Sequence, residues 1–176
     1  MAKIAPPFNL YKWIDKNKNL LKPPVGNKNL YVESGDYIVM IVGGPNARKD
    51  YHYNETEELF FQIKGDIVVK TQQEGQMKEI SIKEGEMFLL PAKVPHSPIR
   101  SKDSIGLVIE KKRESHHKDG LMWFSEKENA LLFEEYFHLT NIEKDFLPVF
   151  KKFYQSEKLR KCPISGEIME ADERYI

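Results

Sequence analysis

The run DYHYNETEELFFQIKG, residues 50–65, decides the reading of the fold. In extended chain, Glu58, Phe60 and Gln62 of this run share one face, and Gly65 ends it. Comparable runs stand on both sides: YIVMIV (37–42), DIVVK (66–70), EISI (79–82), MFLL (87–90) and IGLVIE (105–110). Gly, Pro and charged turns separate them at the short spacing of an all-β sandwich or barrel, which argues against an α/β fold.

Outside this centre the pattern changes. Asn9 can cap a helix in which Leu10, Trp13 and Ile14 share a face, with Pro23-Pro24 as its stop. Near the other end, Ile142, Phe146, Val149, Phe150 and Phe153 recur at helical spacing, and Pro148 implies a helix that starts late or is bent. The stretch between Lys111 and Thr140 reads poorly; LLFEEYFHL (131–139) suits strand or helix, and its aromatics favour strand. One domain is expected over residues 1–176: an N-terminal helix and loop (1–28), a barrel core (29–113) and a C-terminal extension (114–176).

Composition narrows the function classes. With 176 residues and 40% hydrophobic content, the chain can bury one core. Lys plus Arg and Asp plus Glu are equal at 27 each, so no global field draws it to nucleic acid or an anionic membrane. No run approaches the roughly 20 apolar residues of a membrane span. The lone Cys162 cannot form an intramolecular disulfide and MAKIAPPFNLYKW lacks a signal-peptide core, so a reducing, cytoplasmic location is expected.

The chemistry sits in two segments. In the first, Arg48, His52 and Glu58 follow Gly43-Gly44-Pro45; in the second, GEMFLLPAKVPHSPIR (85–100), a proline-stiffened loop delivers His96, with Arg100 four residues on. Two imidazoles and one carboxylate from distant strands make the facial triad that suits non-haem Fe(II) and leaves coordination positions open for substrate and dioxygen. Taken singly, each residue reads as well as an ordinary polar group at a barrel mouth. Their joint spacing tips the balance.

That spacing resembles the cupin family, whose fold is a double-stranded β-helix or jelly-roll barrel. The first cupin motif is Gly, five residues, His-x-His, three or four residues, Glu, six residues, Gly; here His52, Glu58 and Gly65 fit, Asn46 stands at the opening Gly and Asn54 at the second His. The second motif is met by Gly85, Pro91 and His96, with Lys93 and Arg100 replacing its Gly and Asn. Longer stretches resemble the family of 3-hydroxyanthranilate 3,4-dioxygenases, among them APPFNLYKWID (5–15), VGGPNARKDYH (42–52), IKEGEMFLLPAKVPHSPIR (82–100) and FYQSEKLRKCP (153–163).

The resemblance implies a cytoplasmic enzyme of tryptophan breakdown and quinolinate supply for NAD synthesis. It would use one Fe(II) per chain, held by His52, Glu58 and His96, to convert 3-hydroxyanthranilate and O2 to 2-amino-3-carboxymuconate semialdehyde. It also implies a homodimer and places Asn27, Val42, Phe60 and Pro98 in the substrate pocket beside Glu58; from residues alone those four read as loop or core. An aminophenol carrying a carboxylate needs a cation, and Arg100, an even step from His96, can meet it bidentately. Arg48 offers a second charge-assisted bond, to the carboxylate or to oxygen by resemblance; the alternative for either Arg is a surface charge. Glu110 ends a partly inward-facing run, where an unpaired carboxylate is costly. It is expected either to exchange protons with the substrate amine or hydroxyl, or to pair with Arg113 or a lysine.

Members of this family can carry a second, rubredoxin-like iron site built from two Cys-x-x-Cys pairs. Here the matching positions read Ser125-Glu126-Lys127-Glu128 and Cys162-Pro163-Ile164-Ser165, so that site is not expected. His116, His117 and His138 read as loop, solvated or core residues. An iron cupin with other chemistry and a non-enzymatic cupin binding module are the alternative functions; no basic helix points to nucleic acid.

Overall fold

The structure, a computed structural model, describes residues 4–22, 26–33, 35–46 and 48–176. Pro23-Pro24, the expected helix stop, lie outside them. Helix α1 (Leu10–Lys16) starts where Asn9 Oδ1 accepts the Lys12 amide at 2.9 Å, and it buries Ile14. This is the N-cap geometry that satisfies an amide left unpaired in the first turn.

Eleven strands follow: β1 (Asn27–Asn29), β2 (Tyr37–Gly43), β3 (Tyr51–Tyr53), β4 (Glu58–Lys64), β5 (Ile67–Gln73), β6 (Gln76–Ile82), β7 (Met87–Leu90), β8 (His96–Arg100), β9 (Ile105–Lys111), β10 (Asp119–Phe124) and β11 (Leu131–Phe137). They form two antiparallel sheets of order β1-β2-β9-β4-β7 and β11-β10-β3-β8-β5-β6. From β2 to β10 successive strands mostly change sheet, which is the winding of a cupin jelly roll. Alternating burial along β4, β5 and β9 follows from one face packing inward and the other outward. Between the sheets lie Phe60, Ile67, Val69, Ile82, Leu90 and Val108.

Two expectations change. The sheets do not stop at Arg113: β10 and β11, from the segment assigned to the C-terminal extension, complete the second sheet. Asp119 opens β10 and five consecutive residues of that strand are buried, so period-two alternation is missing and the strand is hard to see in sequence. Helix α2 (Ile142–Tyr154) does not start late, because Asn141 caps it through the Lys144 amide at 3.1 Å and it continues through Pro148. Its apolar face lies against β10, where Trp123, fully buried, stacks on Phe153 at 4.3 Å. The strand reading of LLFEEYFHL agrees with β11.

The Gly43-Gly44 step brings two parts of the backbone into contact. A Cβ on Gly44 would lie 2.1 Å from the Ser101 carbonyl oxygen and 2.6 Å from Ser104 Oγ, while the Gly44 amide donates to the Ser104 carbonyl at 2.9 Å. Gly44→Ala must push the strand end away from the turn after β8. It is expected to lower stability by about 1–3 kcal/mol, the usual cost of overpacking. Thermal unfolding checks this, and an unchanged melting temperature would count against so close an approach.

Candidate metal centre and substrate pocket

His52 and His96 face each other as the one paired position between β3 and β8. Glu58 reaches them from β4 in the opposite sheet, so the triad spans the barrel and is not a set of same-face residues along one strand. Ligand atoms of the three lie within 4.8 Å of one another. His52 presents Nδ1, 3.8 Å from Glu58 Oε1, and His96 presents Nε2, 3.3 Å from Glu58 Oε2. The outer nitrogen of each ring is occupied: His52 Nε2 donates to Asp119 Oδ1 at 2.7 Å, and His96 Nδ1 to the Val94 carbonyl at 3.0 Å. This is the support that metal-ligating histidines need, because it fixes the tautomer and aims the free lone pair inward.

Charge is balanced locally. Burial alone would raise the pKa of Glu58, but His96, His52 and the Asn54 amide outweigh it and hold the carboxyl below the usual carboxylate range. Burial likewise opposes charge on His96, and the Glu58 carboxylate more than compensates, so its pKa is raised. For His52 burial prevails over Asp119 and lowers the pKa. Asn54 is buried and does not join the donors; its Nδ2 donates at 3.0 Å to both Glu58 Oε1 and Glu110 Oε2. Where a cupin would have a fourth ligand, this chain has a bracket between two carboxylates.

One cavity of ≈ 140 Å³ is lined by all the residues singled out in the sequence: His52, Glu58 and His96; Arg48, Arg100 and Glu110; Asn27, Val42, Phe60 and Pro98. It is smaller than the roughly 300–1,000 Å³ of drug-sized sites and suits a single ring. Arg100 is 5% exposed and, among the described residues, its Nη1 has no hydrogen-bond partner. Burial lowers its pKa to about 10, partly countered by Glu58, so it remains a cation at neutral pH. Asn46 secures this strand, accepting from the Arg100 amide at 2.8 Å and donating to the Pro98 carbonyl at 2.6 Å. Gly106 leaves the guanidinium room, since a Cβ there would lie 2.9 Å from Arg100 Nη1.

Glu110 occupies the opposite wall, paired in register with Glu58, and the expected pairing with Arg113 is present. It lines the cavity and also takes Arg113 Nη1 at 2.5 Å. Burial and the nearby Glu58 raise its pKa to about 7 against the pull of Arg113. Arg48 is less free. It is paired with the buried Asp50, its guanidinium lies 5.4 Å from the Phe146 ring, and it also borders a larger outer groove, which places it at the mouth.

Asp50 and Asp119 are site residues with no signal drawn from the sequence, while Asn46, Arg113 and Phe146 appear there only as a motif position, a partner for Glu110 and part of a helical face. The Phe146 ring lies 5.4 Å from that of His52. Among the described residues, His116, His117 and His138 join no group able to hold a metal. At the four tail positions, Ser125 Oγ and Cys162 Sγ both donate to Glu128 Oε2, at 3.2 and 3.4 Å.

Known proteins resemble this chain over most of its length. The family described as 3-hydroxyanthranilic acid dioxygenase matches residues 1–154. The chain is 52% identical over 172 residues to a 3-hydroxyanthranilate 3,4-dioxygenase of Xanthomonas campestris pv. campestris (strain 8004), covering 98% of this chain and 97% of that protein. It is 46% identical to one of Ruegeria pomeroyi over 96% of this chain and 93% of the relative, and 45% identical to one of Xenopus tropicalis over 89% and 55%. Among solved structures, a cupin-2 domain containing protein from Shewanella frigidimarina aligns at 20% identity with a TM-score of 0.45, over 57% of this chain and 92% of its own.

Proposed function

Because this chain belongs to the 3-hydroxyanthranilic acid dioxygenase family, we propose that it cleaves the ring of 3-hydroxyanthranilate with O2 to give 2-amino-3-carboxymuconate semialdehyde. Fe(II), one per chain, would be held by His52, Glu58 and His96. The observation that carries this reading is the meeting, in one small cavity, of that donor set with the buried guanidinium of Arg100, whose Nη1 has no hydrogen-bond partner among the described residues. The donors fit Fe(II): two imidazoles with their outer nitrogens occupied and one carboxylate are the set that would hold it. Bound there, Fe(II) would supply a redox-active Lewis acid.

The protein's own groups do the rest. Arg100 binds the substrate carboxylate bidentately and so directs the ring toward the triad. Glu110, poised near neutrality, takes the proton of the ring hydroxyl as the substrate docks. Phe60, Val42 and Pro98 form walls that exclude water, Asn27 offers a polar contact at the edge, and Arg48 meets the anion or the oxygen at the mouth.

The reading includes a single catalytic domain and a role in tryptophan breakdown or quinolinate and NAD supply. It also includes a cytoplasmic location, in keeping with the free thiol of Cys162; no helix among the described residues is long and apolar enough to cross a membrane. A homodimer is supported by an apolar row of Val39, Ile109, Leu59 and Leu89 across the outer face of the first sheet, where Leu89 is 53% exposed.

Oxygen uptake by anaerobically Fe(II)-loaded protein is the test. One O2 is expected to disappear per 3-hydroxyanthranilate consumed, with ring opening followed by absorbance. Binding of the substrate without oxygen consumption would instead indicate a binding module.

A further inference from the structure

Resting on the iron-dioxygenase reading above, we propose that Arg113 is a positioning residue that couples the aim of the metal ligand His52 to the placement of Glu110. Its guanidinium holds two buried carboxylates at once. Nε and Nη2 donate to Asp119 at 2.7–3.2 Å, while Nη1 donates to Glu110 Oε2 at 2.5 Å. The Arg113 side chain is 7% exposed, and Asp119 and Glu110 are 0% and 3% exposed.

Each carboxylate leads back to the triad. Asp119 accepts from His52 Nε2 at 2.7 Å. Glu110 Oε2 accepts from Asn54 Nδ2 at 3.0 Å, and the same amide nitrogen reaches Glu58 Oε1 at 3.0 Å. Glu58 Oε1 then faces His52 Nδ1 across 3.8 Å. The contacts form a ring, His52–Asp119–Arg113–Glu110–Asn54–Glu58, that closes across the metal position.

Within this ring only Arg113 has a permanent positive charge. A planar fork can meet one carboxylate along its Nε edge and a second through Nη1, whereas an ammonium is a single point charge. Without the fork, two carboxylates would lie buried beside one another with no shared cation, and each would turn or take up a proton. A displaced Asp119 releases His52; a displaced Glu110 loses its line to the substrate. Metal affinity and proton handling should therefore fall together. Substrate binding should be largely spared, because among the described residues no hydrogen bond or ion pair ties Arg100 to the ring.

Arg113→Met and Arg113→Lys test this, with Fe(II) affinity measured anaerobically by chelator competition and kinetics at saturating Fe(II). Arg113→Met is expected to weaken Fe(II) binding by about 10–100-fold, the usual penalty for losing outer support of a metal ligand. Its kcat should fall by about tenfold or more through misplaced Glu110, with KM changed less than about threefold. Arg113→Lys should recover part of both losses. A folded Arg113→Met protein with wild-type affinity and kcat overturns the proposal, as does weakened binding with kcat per bound iron unchanged. If Arg113→Met does not fold, Arg113→Lys decides: values below wild type in both readouts support the coupling, and wild-type values in either overturn it. Failure of the wild-type protein to hold Fe(II) or consume O2 would fault the underlying reading instead.

Discussion

His96→Ala protein is expected to keep its fold, lose tight Fe(II) binding and show no measurable ring cleavage. The reason lies in how few donors converge. Three side chains bring ligand atoms within 4.8 Å of one another, and the nearby Asn54 is already engaged by its two carboxylate neighbours. Among the described residues no other side chain joins this group to replace a lost imidazole. Changing an outer partner of a metal ligand costs about 10–100-fold in affinity, so deleting a ligand should exceed about 100-fold. His52→Ala should reach the same end differently, because it also leaves Asp119 with Arg113 alone. Chelator competition and an oxygen electrode read both variants. Normal turnover by either would remove that histidine from the metal site.

The barrel was readable because its signals are local. Alternation in ELFFQIKG and the turn residues between short apolar runs are properties of neighbours in sequence, and β4, β5 and β9 repeat them in their burial. The triad was readable from its spacing within the cupin motif, although His52 and Glu58 do not share a strand. They stand on opposite sheets and meet across the barrel. Support from behind the triad was not readable. Asp119 lies 67 residues from His52, at the start of a strand without alternation, and no local pattern marks a carboxylate that bonds to a distant imidazole. A faint signal existed in the charged residue that opens the apolar run DGLMWF, since such a residue needs a buried partner. Arg113 entered only as an alternative partner for Glu110, and its second carboxylate required coordinates. Asn54 is the reverse case. Its position was conspicuous as a departure from the cupin motif, but its work as a bracket between Glu58 and Glu110 depends on strand register.

Replacement of Arg100 by Met should separate affinity for the substrate from stability of the protein. A guanidinium that is 5% exposed, with Nη1 unpaired, is an unfavourable arrangement in the empty enzyme. It becomes favourable when a carboxylate arrives, because a charge-assisted bidentate pair forms where water is excluded. Removing one partner of such a pair typically costs about 2–5 kcal/mol. Arg100→Met should therefore lower kcat/KM for 3-hydroxyanthranilate by about 30- to 5,000-fold. For 2-aminophenol, which lacks the carboxylate, wild type and variant should be nearly equal. The same change should raise the stability of ligand-free protein by about 1–3 kcal/mol, since it removes a buried donor that has no acceptor. Competitive assays on the two substrates and thermal melts without ligand check the two halves. Equal losses on both substrates would show that Arg100 shapes the pocket without reading the carboxylate. A lower melting temperature would show that its charge is already satisfied before the substrate enters.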